Sequence, residues 1–207
     1  MELQHYLSDF PFVAITRGIK PDEAVPCCRI LHTAGFRIIE TPLNSSEPYR
    51  SIEQMAGLFG SEVLIGAGTV LKTAQVDEVK NVGGRLIVSP HCDTRIIERT
   101  KKCGLISIPG VATPSEMMTA IQAGADALKL FPAEMIGLAG FKAFTAVSPI
   151  GTLMIPVGGI DADNWQPYFH AGAAGFGLGS SLYKAGMTLE ELRARAELFQ
   201  QTWSMRA

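Results

Sequence analysis

A lysine stands inside an apolar run, at Ala127-Leu128-Lys129-Leu130-Phe131-Pro132-Ala133-Glu134. Lysine is rarely buried in full unless it is paired or used. Taking it out of water disfavours the ammonium, so its pKa falls and a free amine becomes available near neutral pH. A neutral amine at the end of an apolar strand is the nucleophile that Schiff-base chemistry on a carbonyl substrate needs. The plain alternative is a stem lying on apolar surface with its head in water. The second candidate is Glu40, which closes Arg37-Ile38-Ile39-Glu40. Desolvation would raise the pKa of such a carboxylate and a nearby ammonium would lower it, leaving a group able to move protons to and from an imine. Its plain alternative is a solvated strand-end acid or a salt-bridge partner.

Positioning these two groups requires strands, and the chain alternates short apolar strands with amphipathic helices. Strands are expected at Phe12–Ile15, Arg37–Glu40, Val63–Ala67, Leu86–Val88, Leu105–Ile108, Ala127–Leu130, Leu153–Val157 and Ala174–Leu178. Helices are expected from Pro21, from Ser46 to Phe59, Thr73 to Lys80, Thr94 to Lys102, from Thr113, Ala139 to Ala146, Asp163 to Ala171 and Leu189 to Ser204. Thr113-Pro114-Ser115-Glu116 has the form of a capping box with proline just inside the helix. Strands apolar on both faces and separated by helices pair in parallel. Eight such units predict a single-domain (β/α)₈ barrel over residues 1–207. An open doubly wound sheet is the alternative, but Thr16-Arg17-Gly18 after the first strand is not a dinucleotide fingerprint.

In a barrel, functional groups gather at the C-terminal ends of the strands. Those ends carry Arg17, Glu40, Thr69, Pro90, Lys129, Gly158-Gly159 and Gly179-Ser180. The two glycine turns follow the last two strands, where barrels commonly bind phosphate through backbone N–H groups. Ordinary turn glycine is the alternative for either one alone; together they favour phosphate. No acidic or histidine cluster of metal-site spacing occurs, and His5, His32, His91 and His170 are scattered.

Composition narrows the classes further. A hydrophobic content of 47% over 207 residues supplies a large core, and a net charge of −2 gives no broad basic surface for nucleic acid or an anionic membrane. The four cysteines make no C-x-x-C pair, so reduced thiols and a cytoplasmic location are expected. The N-terminus has no signal-peptide pattern, and no apolar run is long enough to predict a membrane span.

An ordered set of segments resembles the 2-keto-3-deoxy-6-phosphogluconate aldolase family, the small class I pyruvate aldolases. The segments are Thr16-Arg17-Gly18, Ile38-Ile39-Glu40, Gly66-Ala67-Gly68-Thr69-Val70, Val88-Ser89-Pro90, Pro109 to Glu116, Leu128 to Glu134, Gly158-Gly159-Ile160 and Gly179-Ser180. The resemblance implies a trimeric (β/α)₈ barrel with Lys129 as the Schiff-base lysine and Glu40 as the acid/base. It also implies that Thr69, Pro90 and Phe131 line the pyruvate pocket and that phosphate lies at Gly158, Gly159, Gly179 and Ser180. No metal or organic cofactor is implied, and the partner is a keto-deoxy sugar phosphate.

Two positions depart from the gluconate-acting pattern. Where those enzymes place arginine after the second strand this chain has Asn44, which leaves Arg17 as the candidate for the substrate carboxylate. Where they typically place threonine before the seventh-strand glycines it has Val157, and losing a hydroxyl there removes a hydrogen bond to a substrate hydroxyl. Both resemble the branch acting on the 6-phosphogalactonate epimer, in galactonate catabolism. The expected activity is therefore cleavage of 2-dehydro-3-deoxy-6-phosphogalactonate to pyruvate and D-glyceraldehyde 3-phosphate. The gluconate epimer, a barrel isomerase or metal-dependent aldolase, and a non-catalytic sugar-phosphate sensor remain alternatives.

Overall fold

The computed structural model describes residues 2–206. The elements run α1 (Glu2–Ser8), β1 (Phe12–Ile15), α2 (Pro21–Thr33), β2 (Ile38–Pro42), α3 (Pro48–Phe59), β3 (Leu64–Gly68), α4 (Thr73–Asn81), β4 (Leu86–Val88) and α5 (Thr94–Lys102). They continue with β5 (Ile106–Ile108), β6 (Gly110–Val111), α6 (Pro114–Gln122), β7 (Leu128–Leu130), α7 (Ala133–Val147), β8 (Met154–Pro156), α8 (Trp165–His170), β9 (Phe176–Leu178) and α9 (Leu189–Ser204).

The pairings among these strands are parallel, in two sheets ordered β5-β4-β3-β2-β1-β9 and β6-β7-β8. The alternation of strand and helix is the one expected. The continuous eight-stranded ladder is not observed, and prolines account for the interruptions. The expected fifth strand is β5; Pro109, which has no N–H, follows it and separates it from a further short strand, β6, that was not expected, while the Pro109 carbonyl accepts from the Lys129 N–H at 2.9 Å. Between β8 and β9 no ladder forms; the segments are joined by the bridge of Val157, just past Pro156, to Gly177 and by the Ala174 N–H donating to the Met154 carbonyl at 2.9 Å.

Side-chain parity divides the core into two layers. Phe12, Ala14, Ile39, Ile65, Leu128 and Leu130 point outward and pack under the helices. Val13, Ile15, Ile38, Leu64, Ile106, Ile108, Ala127, Ile155 and Val157 point inward and pack on one another. Leu3 and Leu7 belong to this inner cluster, so α1, which the sequence reading did not anticipate, closes one end of it. Burying each of the Val, Ile, Leu and Phe side chains contributes about 2 kcal/mol, and the alanines less.

The helix caps follow their chemistry. Thr113 Oγ1 accepts from the Glu116 N–H at 3.3 Å, and Glu116 Oε2 accepts from the Thr113 N–H at 2.9 Å, as the capping-box pattern predicts. Helix α7 starts earlier than expected and contains Gly137 at φ 66°, which breaks its first turn from the rest. Helix α9 buries Leu192, Ala196, Phe199 and Trp203 at alternating spacings of four and three, leaving Arg195 free to face the rim of the sheet.

Candidate active site

Parity along β2 and β7 carries the two candidate groups to one place. Ile38 is inward, so Glu40 is inward; Ala127 is inward, so Lys129 is inward. Both line a small void inside the sheet together with Val13, Ile15, Val88, Ile108, Ile155, Val157 and Gly177. Glu40 is 1% exposed and Lys129 6% exposed. Lys129 also forms part of the wall of a larger open cavity of about 680 Å³ above this void.

Burial sets the chemistry of the pair. Desolvation pushes the Glu40 carboxyl from 4.5 up to about 7, against the opposing pull of the Lys129 and Arg17 charges. Desolvation lowers the Lys129 pKa; the Glu40 charge opposes that shift and the Arg17 charge adds to it. An acid poised near neutrality thus shares a dry pocket with an amine biased toward its neutral form. The Lys129 Nζ sits 4.6 Å from the centre of the Phe131 ring. Glu40 Oε2 has no protein hydrogen-bond partner, so it is available to a proton on a bound molecule.

The position of Glu40 depends on a neighbour that the sequence reading passed over. A Cβ at Gly68 would overlap the Glu40 carboxylate. Glycine at the end of β3 is therefore what gives that carboxylate its space. The strand end itself is fixed by Thr16, whose backbone N–H and Oγ1 both donate to the Glu40 carbonyl, at 3.0 and 3.2 Å.

Of the expected site residues, Arg17, Lys129, Phe131, Val157, Gly158, Gly159, Gly179 and Ser180 all line the larger cavity. Gly158 and Gly159 have φ of 104° and 69°, backbone that suits glycine. Val157 has its N–H bonded to the Leu130 carbonyl and its own carbonyl bonded to the Ala133 N–H, so it offers the cavity only methyl groups. Thr69 and Pro90 stand where β3 and β4 leave the sheet but line neither cavity. Thr69 has φ 55°, unusual for a β-branched residue.

The cavity also brings in groups from distant parts of the chain. Lys184 and Arg195 flank the Gly179-Ser180 turn, and Arg195 Nη1 donates to the Ser180 carbonyl at 2.9 Å. Glu134, from the motif after Lys129, lies against Gly158 and Gly159. The signal for Arg195 was its place on a charged face of the last helix, which by itself reads as a solvated surface. Among the described residues, no group of three or more His, Cys, Asp or Glu side chains is placed to hold a metal ion, and no helix is long and apolar enough to cross a membrane.

The KDPG and KHG aldolase family model matches residues 3–196. The chain belongs to this aldolase family. Within that family it is 46% identical over 186 residues to a Rhizobium meliloti (strain 1021) protein named "Probable 2-dehydro-3-deoxy-6-phosphogalactonate aldolase", covering 90% of this chain and 88% of that one. It is 42% identical over 193 residues to the Escherichia coli (strain K12) 2-dehydro-3-deoxy-6-phosphogalactonate aldolase, covering 93% and 94% of the two chains. A solved structure of native KDPGal superposes with a TM-score of 0.94 at 41% identity, covering 96% of both chains. The family expectation drawn from the sequence motifs therefore holds.

Proposed function

We propose that this aldolase cleaves 2-dehydro-3-deoxy-6-phospho-D-galactonate to pyruvate and D-glyceraldehyde 3-phosphate by class I chemistry. The observation that carries the reading is the buried Lys129–Glu40 pair on the inner face of the sheet, opening into a cavity whose lining includes the two glycine turns, Lys184 and Arg195 beside the carboxylates of Glu134, Asp161 and Asp163. Neutral Lys129 attacks the C2 ketone, and the resulting carbinolamine loses water as Glu40 donates a proton to the departing hydroxide. The protonated imine then accepts the electron pair of the C3–C4 bond. Ionised Glu40, directly or through a water, takes the proton of the C4 hydroxyl as that bond breaks and the aldehyde leaves. Protonation of the enamine at C3 and hydrolysis of the imine free pyruvate and regenerate the amine. The iminium is itself the electron sink, so the scheme uses neither metal nor organic cofactor.

The remaining groups bind the two ends of the substrate. Arg17 takes the carboxylate, Phe131 and Val157 bound the keto-acid portion, and Gly158, Gly159, Gly179 and Ser180 take the phosphate, with Lys184 and Arg195 adding charge. Thr69 and Pro90 line neither cavity, and only the family resemblance supports a place for them near the pyruvate end. The methyl groups of Val157 give no hydrogen bond to the C4 hydroxyl, and this supports the galacto epimer over the gluco one. The names of the relatives support the same choice.

On this reading residues 1–207 are one (β/α)₈ domain, with β5 and β6 counted as one strand and the Val157–Gly177 bridge as the closing contact. It works in the cytoplasm as a homotrimer. Borohydride trapping with pyruvate, followed by peptide mass mapping, tests the chemistry. The expected result is a pyruvyl-sized adduct on Lys129; folded protein with no adduct would remove the Schiff-base mechanism. Comparing kcat/KM for the two C4 epimers tests the substrate.

A further inference from the structure

Two loops meet at the mouth of the cavity, one following β1 and one following β2. Arg17 Nη1 donates to Asn44 Oδ1 at 2.6 Å. The adjacent Gly18 N–H donates to Ser45 Oγ at 2.9 Å. The Asn44 turn is itself fixed: the Ser45 N–H donates to the Pro42 carbonyl at 2.9 Å, and the Leu43 N–H to the Gly68 carbonyl at 2.8 Å. Thr16 Oγ1 and Thr41 Oγ1 are 3.1 Å apart, completing a seam from Thr16–Gly18 to Thr41–Ser45. Arg17 lines the cavity beside Lys129, yet it is an exposed, long and flexible side chain.

The seam gives Arg17 a direction that its own packing does not supply. A guanidinium has five donors, and the bond to Asn44 uses one arm. The acceptor is a neutral amide, so the positive charge stays uncompensated, whereas a carboxylate acceptor would cancel it. Arg17 is also a source of the field that opposes the rise of the Glu40 pKa and adds to the fall of the Lys129 pKa.

We infer that Asn44 is a positioning residue, which holds the Arg17 guanidinium over the cavity mouth so that its free arm pairs with the carboxylate of the bound 2-keto acid. The inference rests on the aldolase reading above and deepens it. Holding the fork in place removes part of the ordering cost of binding, so loss of Asn44 weakens binding of the keto acid before it slows the chemistry.

The test is a mutant cycle of Asn44→Ala, Arg17→Ala and the double variant. For each, borohydride trapping is titrated with pyruvate, kcat is measured with the sugar phosphate, and inhibition by inorganic phosphate reports on the other end of the cavity. Asn44→Ala should raise the pyruvate concentration for half-maximal trapping by about tenfold, the typical scale of a strong hydrogen-bonded coupling. Its kcat should stay within about threefold and phosphate inhibition should not move. The double variant should be no weaker than Arg17→Ala alone, because without the guanidinium Asn44 has nothing to hold. The acidic limb of the pH–rate profile should move upward in Asn44→Ala, since a loosened Arg17 holds the Glu40 pKa down less.

Full additivity, or an Asn44→Ala variant that traps pyruvate like the parent while Arg17→Ala does not, overturns the positioning role. So does a parallel loss of phosphate inhibition with a lowered melting temperature, which is general loosening. An Arg17→Ala variant with unchanged trapping removes Arg17 as the carboxylate contact and the inference with it, while the aldolase reading stands. Absence of any adduct in the parent protein removes the aldolase reading itself.

Discussion

The cavity has two ends built on different principles. At the floor, Glu40 and Lys129 owe their properties to being out of water, and almost everything around them is aliphatic. At the rim, the lining includes Gly158 and Gly159 at positive φ, Gly179, Ser180, the cations of Lys184 and Arg195, and the carboxylates of Glu134, Asp161 and Asp163. The floor is a device for changing what a functional group is; the rim is a device for holding charge where water can still reach it. Desolvating a charge is costly, and among the described residues the buried charged side chains are the two that must react. Anion binding needs no dry site, because directed N–H groups and cations suffice in a wet one.

Substitutions at the floor should therefore strike turnover. Lys129→Ala removes the nucleophile, and kcat should fall by more than ~10³-fold, with no borohydride adduct. Turnover near that of the parent would exclude Lys129. Glu40→Gln should lower kcat by ~10²-fold or more, the scale of general acid–base catalysis. It should also remove the ionisation near pH 7 from the pH–rate profile, because the group whose carboxyl is raised to about 7 is gone. Gly68→Ala is the sharper probe, since its Cβ would overlap the Glu40 carboxylate and push it aside. A fall in kcat of about tenfold or more, in protein that still forms the pyruvate adduct, is the expected outcome.

What the sequence made legible follows the same division. Lys129 stood out because a charge in the middle of an apolar strand conflicts with its surroundings, and Glu40 stood out for a related reason. The glycine turns were visible because backbone requirements leave a mark at fixed places after strands. Gly68 was not visible as a functional residue, because the reason for it is the side chain of Glu40 on the neighbouring strand. Arg195 lies in a helix that begins long after the last glycine turn, and nothing local distinguishes it from the other charges of α9. The strand–helix alternation was readable from apolar runs. The break at Pro109 and the docking of α1 through Leu3 and Leu7 depend on pairing and on packing across the sheet, which local pattern does not carry. Thr69 and Pro90 were placed by their positions at strand ends, and a strand end specifies the rim without specifying which wall a side chain faces.

Substitutions at the rim should leave the chemistry and weaken binding. Gly159→Ala places a methyl group against Glu134 at a φ of 69°. KM for the sugar phosphate should rise by about tenfold with kcat changed less, while borohydride trapping with pyruvate, which carries no phosphate, stays as in the parent. Equal effects on pyruvate trapping would mean that the two ends are not independent. Arg195→Ala removes both a charge and the bond to the Ser180 carbonyl. A rise in KM of roughly three- to tenfold, shrinking as salt is added, is expected from a partly exposed cation.

The smallest effect reaches beyond the reaction to the stability of the fold. Because the folded Glu40 carboxyl titrates at about 7 and the ordinary value is 4.5, the folded protein binds more protons than the unfolded chain between those pH values. Raising the pH through that window therefore favours unfolding, and Glu40 lowers stability above it. The difference between the two values bounds the effect at about 3 kcal/mol. Glu40→Gln removes this slope, so the variant should gain on the parent as pH rises from 5 to 8 and lose the advantage at pH 5. Denaturant unfolding at the two pH values measures it. A parent protein whose stability does not fall relative to the variant across that range would mean that Glu40 is better solvated than its burial implies. The contrast between a dry floor and a wet rim would then have to be redrawn.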